Sequence, residues 1–317
     1  MRDEKHRSEI FSDFNNHDRF KYPENIVRVT AGRGGEALLI FTRTKVVLYD
    51  TGMAYCGDAL ISNIEKTLKD RERENIDYVL ISHTHYDHIG ALPFVVKRWP
   101  KTHVVGSQKA QNVFMSDNAK SLIKKLGEVA SENYSHGESE IPKEGFRVDL
   151  VLADGDEIIL DESKIKALST KGHTDCSMTY ILLPDNIMFA SESTGVLRGK
   201  DYMHTAILKS FEESIKSAEK CRDYRPNMLI SPHYGLIPKE YIEKYFNLYI
   251  KEANEEKNLI LECKKKGMSF EEIEKAHENK YWCRERASAQ PKAAYLENRK
   301  HTINCITKEF LENDKKD

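Results

Sequence analysis

Short apolar runs broken by turns fill the first two thirds of this chain, and a long amphipathic tail follows. Residues 26–30 alternate like a half-buried strand, and 37–41 and 45–49 read as two more, joined through Thr42-Arg43-Thr44 into an antiparallel meander. Gly32-Arg33-Gly34-Gly35 between the first two is a turn and not a phosphate loop, because strands flank it and no Gly-Lys-Ser/Thr follows. Leu60, Ile61, Ile64 and Leu68 recur at helical spacing. Residues 76–80 form a buried strand and 102–106 a short one, with His103 a structural residue. Residues 107–145 are polar, helical around 119–129 and free of strand signal, an insertion of a length that often covers a site. Tyr134 and His136 in it are substrate candidates, although a solvated loop is the preferred reading of each.

A second strand-rich half runs through 146–152, 157–160, 164–168, 178–183 and 186–190, punctuated by Gly155 and the Pro184-Asp185-Asn186 turn. A helix at 210–221 and a strand at 228–230 close it. From Pro238 onward the pattern is helical. Ile242, Tyr245, Tyr249, Ala253 and Ile260 make one stripe, which Gly267 ends. Ser269 and Glu272 then form a capping box, with Met268 and Ile273 placed as a hydrophobic staple. A last helix follows Pro291, with Leu296, Ile303, Ile306 and Phe310 as its apolar positions. Two strand-rich halves with helices predict an α/β domain over residues 1–237, its first 23 residues a loose arm, and a helical appendage over 238–317.

Composition narrows the partners. Lys plus Arg number 49 and Asp plus Glu 51, so no net field favours nucleic acid or an anionic membrane. No apolar run approaches the length of a membrane span, and the first residues lack the apolar core of a signal peptide. The six cysteines are scattered without paired spacing, as expected for reduced thiols in a cytoplasm.

The chemistry concentrates in Ile81-Ser82-His83-Thr84-His85-Tyr86-Asp87-His88-Ile89-Gly90, between a strand and a helix start. Three imidazoles and a carboxylate within six residues suit zinc or iron better than magnesium or calcium, which prefer oxygen shells. This His-x-His-x-Asp-His pattern resembles the metallo-β-lactamase superfamily. Leu48-Tyr49-Asp50-Thr51-Gly52 is similar to the family's early Asp-Thr-Gly turn. Gly172-His173-Thr174 and Ser231-Pro232-His233-Tyr234-Gly235 are similar to its later histidine motifs.

The resemblance implies an αββα sandwich and two divalent ions, zinc or iron with manganese a third choice. His83, His85 and His173 would bind one ion, and Asp87, His88 and His233 the other. The family's bridging position, usually aspartate, falls here on Glu192. Asp87 would also position a metal-bridged hydroxide, and Asp50 would orient a ligating histidine. Tyr202 and His204 are substrate or oxyanion candidates, with packing roles slightly preferred, and the pattern does not need Cys176 as a soft ligand. Members that hydrolyse thioesters and end in helices share this layout, so the expected reaction is hydrolysis of an ester or thioester of a small molecule. Nucleic acid and membrane are excluded as partners, and a homodimer stays open. The alternatives are a mononuclear iron oxidoreductase like the family's persulfide dioxygenases and a low-turnover regulatory binding protein.

Overall fold

A computed structural model of the chain describes residues 20–135, 139–197, 203–283 and 291–312. The chain divides into two compact units, one made of Lys21–Ser169 with Cys176–Ser191, the other of Met1–Phe20, Thr170–Asp175 and Glu192–Asp317.

The first unit is mixed α/β. Strands β1 (Ile26–Arg28), β2 (Leu38–Phe41) and β3 (Val46–Tyr49) pair antiparallel as the meander predicts. Every residue of β2 and β3 is buried, which explains runs of Val, Leu and Ile without alternation. Helix α1 (Gly57–Asp70) then crosses over to β4 (Tyr78–Leu80), which lies parallel to β3. A parallel neighbour cannot be reached by a tight turn, so the helix is what the topology requires. Leu60, Ile64 and Leu68 form its buried stripe against Leu39, Leu48 and Val79 of the sheet. Each such leucine contributes about 1.5–3 kcal/mol by leaving water.

A four-residue helix α2 (Tyr86–Ile89) and helix α3 (Leu92–Arg98) lead to β5 (His103–Gly106). The insertion folds as α4 (Gln108–Phe114) and α5 (Asp117–Ser135), helical as expected. The predicted strand at 146–152 shrinks to β6 (Leu150–Val151). Phe146 and Val148 do bury their side chains, but polar side chains serve part of the backbone there: Asp149 Oδ2 accepts from Val104 N at 2.8 Å, and Gln111 Nε2 donates to the Val148 carbonyl at 3.1 Å. The second sheet run of this unit, β7 (Glu157–Leu160), β8 (Ser163–Ser169), β9 (Met178–Leu183) and β10 (Ile187–Phe189), is antiparallel throughout. It packs on the first sheet through Tyr49, whose ring lies 5.3 Å from Phe189 and whose hydroxyl donates to the Ala190 carbonyl at 3.0 Å.

The second unit holds a ribbon of β11 (Val196–Leu197) and β12 (Met203–His204), helix α6 (Phe211–Asp223) and a hairpin of β13 (Met228–Ser231) and β14 (Gly235–Pro238). The sequence reading missed β11, β12 and β14: two are only two residues long, and the third is framed by Gly and Pro that read as turn. Three tail helices follow, α7 (Lys239–Lys265), α8 (Phe270–Tyr281) and α9 (Lys292–Thr307). The predicted stripe of α7 is buried, and both bonds of the Ser269–Glu272 capping box are present at 3.2 and 2.7 Å. On α9 the buried face is Tyr295, Arg299, Thr302, Ile303 and Ile306, with Leu296 only partly covered. Arg299 is buried because Glu274 and Glu278 pair its guanidinium at 2.7 and 2.9 Å, an outcome that hydrophobic periodicity cannot register.

No described helix is long and apolar enough to cross a membrane. The six cysteines form no disulfide, and five of them are buried.

Candidate metal centre

In the first unit the parallel register sets Tyr49 opposite Leu80, so the residues leaving β3 and β4 emerge side by side. Asp50 is fully buried, in left-handed backbone at φ +47°. Its Oδ1 accepts from the Ser82 amide at 2.7 Å, and its Oδ2 accepts from Ser82 Oγ at 2.6 Å and His88 Nδ1 at 2.8 Å. Ser82 Oγ also lies 2.9 Å from His83 Nδ1. A hydroxyl has one proton and a carboxylate can only accept, so Ser82 donates to Asp50 and receives the Nδ1–H of His83. Both neutral imidazoles therefore carry their proton on Nδ1 and their lone pair on Nε2, the tautomer that a metal-binding histidine is usually held in by its neighbours. Asp50, expected to orient a histidine, hydrogen-bonds His88; the part of Ser82 was not anticipated.

The loop that carries these groups is clamped from two sides. Thr51 and Gly52 donate their amides to the His88 carbonyl at 2.8 and 3.0 Å, and Gly35 donates to the Asp87 carbonyl at 2.8 Å. The rings of His83 and His85 lie 4.7 Å apart, and those of His83 and His88 4.2 Å. The ligating atoms of His83 and His85 approach within 4.8 Å, as do those of Asp87 and His88. His83 and His88 are buried, whereas His85 and Asp87 are half-buried. Burial also raises the pKa of Tyr180, with the charge of Asp50 adding to it, so its hydroxyl stays a donor, to the Ile81 carbonyl at 2.9 Å.

The glycine turn before β2 has a role that sequence reading did not find. A Cβ on Gly35 would stand 2.4 Å from His88 Nδ1, so only glycine lets the turn close over the ring. Gly35→Ala is expected to displace His88 from Asp50, weaken metal retention about tenfold and lower stability by about 1–3 kcal/mol. Chelator competition and thermal melting measure the two effects; wild-type metal retention would show that the ring moves without cost.

The second unit contributes three more candidates. His173 sits in the loop after β8, where Gly172 at φ +125° passes so close to Ser214 that a Cβ would meet its Oγ at 2.1 Å. The His173 amide donates to Ser193 Oγ at 3.1 Å, and its Nδ1–H donates to the Ala206 carbonyl at 2.7 Å. His233 occupies the β13–β14 turn at φ +58°. Glu192, buried in a 3-10 turn after β10, faces both: Oε1 is 2.5 Å from His233 Nε2, and Oε2 is 3.2 Å from His173 Nε2. With Nδ1 of His173 already donating, the neutral ring would oppose a lone pair to the carboxylate. Two acceptors at that distance require a cation between them, a proton or a metal ion. Beneath the turn, Tyr245 donates to the Gly195 carbonyl at 2.5 Å and lies 3.0 Å from Ser231 Oγ. Burial, then the charge of Glu192, raises its pKa and keeps it protonated.

The remaining candidates fall elsewhere. Cys176 packs in the apolar core with its Sγ 3.4 Å from Thr84 Oγ1. Tyr134 is on helix α5, not in a solvated loop, and is half-buried beside Tyr55 with the Arg33 guanidinium 4.8 Å over its ring. His204 stands in β12 opposite Val196. His136 and Tyr202 lie outside the described residues.

A family model described as the metallo-beta-lactamase superfamily matches residues 31–233, well over half of the chain. The chain belongs to the metallo-β-lactamase superfamily. Its curated relatives include the metallo-beta-lactamase fold-containing protein ST1585 of Sulfurisphaera tokodaii, 22% identical over 174 residues that make up 54% of this chain and 66% of that protein. The beta-lactamase-like protein 2 homolog of Drosophila melanogaster is 24% identical over 240 residues, 73% of this chain and 68% of that protein. The chain thus spans about two thirds of the length of these relatives. Among solved structures, ST1585 from Sulfolobus tokodaii superposes with a TM-score of 0.58 at 14% identity, covering 90% of this chain and all of that one. The sec-alkyl sulfatase PisA1, as a double mutant, gives 0.64 at 14% identity over 92% of this chain and 50% of that one. These likenesses establish the metallo-β-lactamase fold. The superfamily binds divalent metals, and the His, Asp and Glu clusters described above fit a metal site in donor type and spacing.

Proposed function

We propose that this chain is a metal-dependent hydrolase of an ester or thioester in a small molecule. By the family pattern, His83, His85 and His173 would hold one divalent ion, and Asp87, His88, Glu192 and His233 a second. The observation that carries it is the filling of every ligand position of the family pattern by a metal-ligating residue. The buried imidazoles among them, His83, His88 and His173, have Nδ1 committed to a protein partner. Such a set is expensive to bury and orient without a cation to receive it.

When bound, two divalent ions would supply an activated water near neutral pH and a Lewis acid for the substrate oxygen. The chain's own residues do the holding. Ser82 and Asp50 fix the tautomers of His83 and His88, Ala206 fixes His173, and Asp87 and Glu192 bring negative charge that partly balances the cations. The superfamily is generally hydrolytic, and one structural relative is named an alkyl sulfatase, which favours hydrolysis over redox chemistry. The near-equal counts of 49 basic and 51 acidic residues favour a small molecule over nucleic acid.

Elemental analysis of the purified protein with a panel of thioester, lactone and phosphodiester substrates tests this. Two ions per chain and turnover of a thioester or ester are expected. One iron per chain with oxygen uptake would replace this reading with the mononuclear oxidoreductase, and metal without turnover of any of the three classes would remove the substrate assignment.

A further inference from the structure

We propose that the helical tail positions His173, by gripping the three residues Thr205, Ala206 and Ile207. The proposal rests on the reading of His173 as a metal ligand. Ala206 offers its carbonyl to His173 Nδ1 at 2.7 Å from left-handed backbone, φ +52°, although it is not a glycine. A conformation of that kind persists only where the surroundings over-determine it. Here the residues on both sides are tied to the tail.

On one side Thr205 Oγ1 donates to the Glu256 carboxylate of α7. The other oxygen of Glu256 lies 2.6 Å from His277 Nε2 of α8, and His277 Nδ1 lies 2.9 Å from the Tyr295 hydroxyl of α9. Thr205, Glu256, His277 and Tyr295 are all buried. On the other side Thr302 Oγ1 of α9 donates to the Ile207 carbonyl at 2.8 Å, and the Ile207 side chain is wholly buried in the tail's apolar core. Helices α7 and α9 therefore hold the segment that positions the imidazole, and α8 braces Glu256 through His277.

A buried carboxylate and imidazole are a poor means of gaining stability compared with apolar packing. What this pair does is aim Thr205, and with it the peptide that follows. With Nδ1 committed to Ala206, Nε2 is the ring atom left for the ion. If the grip loosens, the carbonyl moves, the ring can turn or change tautomer, and affinity falls while the fold survives. Glu256, Thr205 and Thr302 are positioning residues in this scheme.

Thr205→Val and Thr302→Val each remove one hydroxyl anchor at constant shape, and Thr205→Ser and Thr302→Ser retain it. Zinc affinity of the full chain is measured by chelator competition well below the melting temperature. The His173 Nδ1–H hydrogen bond to Ala206 is read in the metal-free protein from the Nδ1 ¹⁵N and ¹H shifts of the ring. The valine variants should bind zinc about tenfold more weakly and lose the hydrogen-bonded Nδ1–H signature, while the serine variants match wild type in both. Valine variants that melt earlier but keep wild-type affinity and signature would show the tail to be packing alone, and the proposal falls. Should the wild type bind no zinc, the metal reading fails by itself. The ¹⁵N signature then decides this proposal: its loss in the valine variants supports positioning, and its retention overturns it.

Discussion

Asp87→Ala should give a folded protein that holds one divalent ion fewer and turns over its best substrate more than about a hundredfold slower, since changes even one layer out from a metal cost 10–100-fold. Asp87 is half-buried on the four-residue helix α2, and its backbone rather than its side chain receives the Gly35 amide. Truncation therefore removes little apolar contact, and the melting temperature of the metal-free protein should stay near wild type. His88→Ala should lose the same ion but also stability, because the ring fills the space under Gly35 and supplies one of the hydrogen bonds to buried Asp50. Leaving that carboxylate short of a donor costs about 1–3 kcal/mol. Metal content per chain, thermal melting and turnover separate the two variants. Wild-type turnover in Asp87→Ala would end the two-ion mechanism.

The candidate ligands were legible in sequence because they are confined to turns next to apolar strands, where a His or Asp has no packing reason to be. The strands of the first sheet were legible for the converse reason: β2 and β3 are buried on both faces and carry almost nothing but Val, Leu, Ile and aromatics. What supports the site was not legible. Ser82 reads as an ordinary polar residue until the parallel register of β3 and β4 lays it against Asp50. Gly35 reads as one glycine of a turn, and only the approach of His88 shows why a side chain is excluded. Ala206 acts through its carbonyl, and a backbone group leaves no residue-type signal. Arg299, Glu256 and His277 are polar residues on a helical face and would be placed in solvent by any hydrophobic pattern. Partners from distant segments bury them instead. Each miss depends on contacts that only the folded chain creates.

Glu192 is where the chain departs from its family's aspartate, and Glu192→Gln should weaken metal binding by on the order of a hundredfold. Its two oxygens face two imidazoles, Oε1 at 2.5 Å from His233 and Oε2 at 3.2 Å from His173. The extra methylene is thus accommodated by a turn that lets one carboxylate reach both rings. Glutamine keeps that shape but changes the chemistry twice. It removes a negative charge from the proposed metal site, and its amide N–H can donate to an imidazole Nε2, occupying the lone pair that an ion would need. Metal-free Glu192→Gln should melt at or above the metal-free wild type, since a buried charge is gone. With metal present the order should reverse, because ligand binding stabilises only the protein that retains it. Glu192→Asp keeps the charge but is shorter, so it should hold one histidine's ion and loosen the other. Melting curves with and without zinc, together with metal per chain after chelator dialysis, read all three proteins. A glutamine variant that retains metal like wild type and shows no reversal would place Glu192 outside the coordination sphere, as a hydrogen-bonding neighbour of His173 and His233 and nothing more.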